Sequence, residues 1–70
     1  MADVTAPMGG KIIKLTVAVG DSVSEDDEVA ILEAMKMEMP IMSPADGEVK
    51  EIKVAEGDAV DADQVLMVIA

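Results

Sequence analysis

The chain has no cysteine, no histidine, no arginine and no aromatic residue among its 70 positions. Without cysteine, neither a disulfide framework nor a thiolate metal site can form, and the composition suits a reducing compartment. Without histidine, acid–base chemistry near neutral pH loses its usual carrier, and the fifteen acidic residues are scattered with no evident catalytic pair. The missing arginines and a net charge of −10 argue against nucleic acid as a partner, because phosphate neutralisation needs clustered cations. Partners with basic surfaces are favoured instead. No stretch approaches the ~18 apolar residues of a membrane span, and the acidic start Met1-Ala2-Asp3 is unlike a signal peptide. Direct membrane insertion is therefore not expected, and a soluble cytoplasmic protein is. A chain of this length makes a single domain, 1–70, near the size that buries only about 60% of its unfolded surface, so a deep catalytic cleft is not expected. Its core has to be filled by Val, Ile, Leu, Ala and Met, with modest stability.

What is present is one unit written twice. Residues 7–23 align with 44–60: Pro7 falls on Pro44, Gly10 on Gly47, Gly20-Asp21 on Gly57-Asp58 and Val23 on Val60. One residue fewer after Val60 brings Glu28-Val29-Ala30-Ile31-Leu32 onto Gln64-Val65-Leu66-Met67-Val68. Lys11 and Lys14 lie in the first copy and Lys50 and Lys53 in the second, whereas Lys36 belongs to neither and stands at the hinge.

The repeat decides secondary structure where propensity misleads. Residues 28–39 are rich in Ala, Leu, Glu, Met and Lys and score as helix. Their counterpart, 65–69, is a short apolar run with β-branched residues, which suits a buried strand. Two copies of one unit share one structure, so both segments are read as strands. Turns are expected at 8–10, 19–21, 45–47 and 56–58, with strands over 11–17 and 48–54 between them. In these strands Ile12, Leu15 and Val17 match Val49, Ile52 and Val54, a spacing that breaks alternation identically in both copies and predicts a bulge or sharp twist. About eight short strands should form a barrel-like sandwich of two sheets related by an approximate twofold axis.

If 29–34 and 37–42 are adjacent antiparallel strands, Lys36 sits on the connecting turn, projecting from the sheets. The turn contains no Gly, Asn or Asp, the residues that tolerate the positive φ of a two-residue hairpin, so local strain is expected there. An ordinary solvated loop lysine flanked by core methionines is the plain alternative. Four of the seven methionines fall within 35–42, however, and those beside a projecting lysine cannot all be buried. Flexible, polarizable side chains suit a surface that several partners grip in turn. Pro40, lacking an amide donor, predicts an edge strand or a non-bonding position.

Ala34-Met35-Lys36-Met37, with Glu33 and Glu38 around it, resembles the biotin-attachment motif of biotin carboxyl carrier domains. The resemblance runs from Thr5-Ala6-Pro7-Met8-Gly9-Gly10 through Gly20-Asp21 and Ser43-Pro44-Ala45-Asp46-Gly47 to Glu56-Gly57-Asp58. It implies an all-β flattened barrel-sandwich of two four-stranded antiparallel sheets, with biotin joined by an amide to Lys36. It also implies that Glu33, Ala34, Met35, Met37 and Glu38 are read by partner enzymes. Those partners are a biotin protein ligase, which attaches biotin through an adenylate, a biotin carboxylase, and a carboxyltransferase or decarboxylase subunit. The carrier itself does no chemistry; its lysine and biotin form an arm of about ten bonds that holds the ring at an effective concentration in the mM range.

Some larger relatives carry a protruding thumb before the biotin hairpin. Here only 24–28 separates Val23 from Val29, so a thumbless type is expected. A lipoyl carrier domain is the nearest alternative, sharing fold, duplication and turn lysine, but such domains typically place Asp before the lysine and Ala after it. The other alternative, an unmodified interaction sandwich, leaves the methionine cluster without a purpose.

Overall fold

The computed structural model describes all residues, 1–70. The chain forms eight strands and no helix: β1 (Ala2–Thr5), β2 (Gly10–Leu15), β3 (Ser22–Val23), β4 (Glu28–Ala34), β5 (Met37–Met42), β6 (Gly47–Ile52), β7 (Ala59–Val60) and β8 (Val65–Ile69). They build two antiparallel four-stranded sheets, ordered β1-β8-β6-β3 and β5-β4-β2-β7. Between the sheets lies a core of aliphatic side chains, among them Ile12, Val29, Leu32, Val49, Leu66, Met67 and Ile69. The segment with helical composition is strand, because Val29, Leu32 and Ala34 are buried from an extended backbone.

The twofold repeat is visible in individual hydrogen bonds. Ile12 N–H donates to Asp58 O at 2.8 Å, and Val49 N–H donates to Asp21 O at 2.8 Å. Thr16 N–H meets Val29 O, and Lys53 N–H meets Leu66 O. Every one of these partners is related by an offset of 37, which continues through the last strands: Ile31 pairs with Pro40 as Val68 pairs with Asp3. The one-residue deletion expected after Val60 is therefore absent. Val29 corresponds to Leu66 and Leu32 to Ile69, all of them buried. Matching Glu28-Val29 to Gln64-Val65 rewarded similar letters, whereas the fold aligns positions by burial.

The copies interlace. β1 and β3 of the first copy lie in the sheet that holds β6 and β8 of the second, while β5 and β7 of the second join β2 and β4 of the first. The expected bulges fall within β2 and β6, where pairing skips Ile13 and Lys50. Both strands stop short of the expected ends, at Leu15 and Ile52, because the chain turns away to place Val17 and Val54 against the core. The connection from β3 to β4 is a tight loop without a thumb. Ser24 N–H donates to Asp27 Oδ2 at 2.8 Å, and Asp26 N–H and Ser43 N–H tie the loop to the end of β5.

Candidate functional site

β4 and β5 pair in register from Glu28↔Met42 to Ala34↔Met37, leaving Met35 and Lys36 as a two-residue turn. Their φ angles are 53° and 64°, both in the left-handed region, which identifies a turn of the I′ type built without Gly, Asn or Asp. Each such residue stores roughly 1–3 kcal/mol of strain. The surrounding hairpin holds the turn in place through Ala34, which is buried at its base.

Gly10 of β2 explains how that base is gripped. A Cβ at Gly10 would collide with the Glu33 carbonyl oxygen and crowd the Leu32 and Ala34 side chains at 3.1 and 3.2 Å. The absent side chain lets β2 lie flush against the root of the hairpin. The repeat flagged Gly10 as half of a matched pair with Gly47, and close backbone approach is the reason for both.

At the tip, Met35 is 86% and Met37 66% exposed, so the reading of these two methionines as core residues fails, while Met39 packs partly against the core. Lys36 is exposed and has no hydrogen-bond or ion-pair partner; the molecule's single salt bridge joins Lys53 and Glu51. Lys11 and Lys14 lie within β2, Lys50 within β6 and Lys53 directly after it, so Lys36 alone stands on a hairpin turn.

Glu33 and Glu38 face each other directly across the hairpin, one pair below the turn. Counting outward from a two-residue turn, Ala34 and Met37 form the hydrogen-bonded pair and Glu33 and Glu38 the closer non-bonded one. Like charges in that position are destabilising. This juxtaposition was within reach of the sequence once the turn length was known. Two carboxylates, two exposed thioethers and a free amine thus converge on one strained tip. The same counting gives Pro40, opposite Ile31, a non-bonded position on the edge strand β5, where its missing N–H disrupts no ladder bond.

An unpaired amine on a projecting turn fits an acyl group attached through an amide, and nothing at the tip obstructs it. A family model described as biotin-requiring enzyme matches residues 2–69. The chain belongs to that family. It is similar to the biotin carboxyl carrier protein of Streptococcus mutans, with 58% identity over 38 residues, covering 54% of the chain and 29% of that protein. It is similar also to mitochondrial pyruvate carboxylase of Mus musculus, with 35% identity over 64 residues, covering 91% of the chain and 5% of that protein. Among solved structures, the urea carboxylase of Kluyveromyces lactis superposes with a TM-score of 0.92 at 36% identity, over 99% of this chain and 6% of that one. The chain thus spans only a small part of these relatives, and it matches them as a biotin carrier domain. The fold is the expected all-β sandwich, and these matches do not favour the lipoyl alternative.

Proposed function

We propose that Lys36 carries biotin and that the domain ferries a carboxyl group between a biotin carboxylase and a carboxyltransferase or decarboxylase. The observation that carries this reading is the free Lys36 amine on an exposed, strained I′ turn at the centre of a biotin-family domain. On a biotin protein ligase, the Lys36 ammonium gives one proton to a basic group of the enzyme or to water, and the neutral Nζ attacks the acyl carbon of the biotinyl adenylate, releasing a second proton as the amide forms. The amide bond forms, and AMP leaves with the electron pair of the broken acyl–phosphate bond. Met35 and Met37 offer mobile apolar contact on either side of the lysine, and Glu33 and Glu38 offer a negative collar to basic enzyme surfaces. Once attached, biotin supplies a ring nitrogen that accepts and releases carboxyl groups. The domain supplies the tether, the exposed tip and the recognition surface.

The test is incubation of the chain and its Lys36→Arg variant with a biotin ligase, ATP and biotin, followed by mass mapping. The expected result is one biotin on Lys36 and none on the variant, whose unfolding curve stays within about 0.5 kcal/mol of the parent, as befits an exposed substitution. Biotin on another lysine, or lipoate on Lys36 after growth with both ligases, would overturn the assignment.

A further inference from the structure

On the face of the β4–β5 hairpin lies a shallow open groove of about 330 Å³ lined by Ile31, Met39, Pro40, Met42, Glu28 and Glu38. By the strand register, Glu38 is the lining residue nearest the turn, and Glu28, opposite Met42, is at the far end. We propose that this groove is a resting site for the uncharged bicyclic ring of biotin carried by Lys36 of the same chain. The inference rests on the attachment proposed above and concerns where the ring lies between visits to partner enzymes.

Reach, size and chemistry agree. An arm of about ten bonds of ~1.5 Å extends roughly 13 Å in a staggered zigzag. Pro40 lies four positions beyond Lys36, about 13 Å at the ~3.3 Å rise of a strand. The groove's volume matches the lower end of small-molecule sites, about 300 Å³. Ile31, Pro40 and Met42 present an apolar floor to the thioether face of the ring, and the carboxylate at either end of the groove, Glu38 or Glu28, can accept a urea N–H. The same carboxylates repel a ring bearing negative charge, so the site is selective for the uncharged group. A second copy of the domain is disfavoured by mutual repulsion at a net charge of −10. An added peptide strand is disfavoured because Pro40 leaves a gap among the donors on the free edge of β5.

The experiment uses the biotinylated full chain with labelled Met and Ile methyl groups, after mass mapping has shown biotin on Lys36. Nuclear Overhauser contacts should join ring protons to the methyls of Ile31 and Met42, with shift changes between the unmodified and biotinylated domains extending along β5 to Met42. Avidin capture in rapid mixing should become several-fold faster in Ile31→Gln and in Met42→Gln. The second variant alters a side chain that is already 46% exposed and so guards against misfolding of the first. Shift changes confined to 34–38, with no ring contacts and unchanged capture rates, would overturn the resting site while leaving attachment intact. Absence of biotin from Lys36 would overturn the attachment, and the resting site with it.

Discussion

Met35 and Lys36 occupy backbone positions that favour other residues, since φ angles of 53° and 64° suit Asn and Gly. Nothing in the packing demands a methionine at 35, which is 86% exposed. Relief of strain is therefore available by substitution, and its absence points to a demand on the side chains themselves. Met35→Asn should stabilise the domain by about 0.5–1 kcal/mol by accepting the left-handed conformation more readily. Thermal unfolding should show this as a Tm rise of roughly 2–8 °C, given about 4–8 °C per kcal/mol in domains of this size. The same variant should be biotinylated several-fold more slowly, having lost a thioether beside the amine proposed to react. A variant that gains stability and keeps the parent rate would show that Met35 is not read by the ligase.

The hairpin of β4 and β5 depends on a neighbour that contributes no side chain. Because a Cβ at Gly10 would strike the Glu33 carbonyl, Gly10→Ala should push β2 and β4 apart and destabilise the domain by about 1–3 kcal/mol, the usual range for overpacking. Gly9→Ala is the control, as its Cβ would rest at an ordinary 3.5 Å from Val60 O. Urea unfolding of the two variants should separate them clearly, and equal midpoints would refute the close-approach role of Gly10. This clash could not be foreseen from residues 8–10, which read only as a turn. Pairing, bulges, the edge position of Pro40 and the turn at Lys36 were legible, because they follow from the repeat and from donor chemistry. The repeat offset near Glu28 was misread because residue likeness there competes with burial. Glu28 is exposed and its side chain is not held by the core, while Val29, Leu32, Leu66 and Ile69 record the true alignment through the core they fill. The groove beside the tip went unseen for a related reason: Ile31, Pro40 and Met42 become neighbours only when β4 and β5 are set in register.

At the scale of the molecule, interlacing makes each half dependent on the other. The first copy alone could form only the pair β2–β4 and the second only β6–β8, since all other strands pair across copies. A lone two-stranded hairpin is marginal in water. Peptides 1–35 and 37–70 should therefore each lack a cooperative thermal transition by circular dichroism, and a sharp transition in either would show that a copy folds alone. Charge acts on the same whole. Fifteen acidic residues face five lysines, and the only ion pair, Lys53 with Glu51 at 3.3 Å, is about half exposed on both sides. Screening thus has much repulsion to relieve and little attraction to weaken. Raising salt from low ionic strength to about 0.5 M should increase Tm by ~3 °C, since shortening the Debye length below ~5 Å removes self-repulsion first. The docking proposed above, of an acidic tip on a basic ligase surface, rests on attraction over longer distances, so the rate of biotinylation should fall over the same titration. Opposite slopes from one salt series would separate the two effects. A Tm that falls with salt would mean that attractive pairs dominate the folded state, and a rate indifferent to salt would remove electrostatic steering from the encounter.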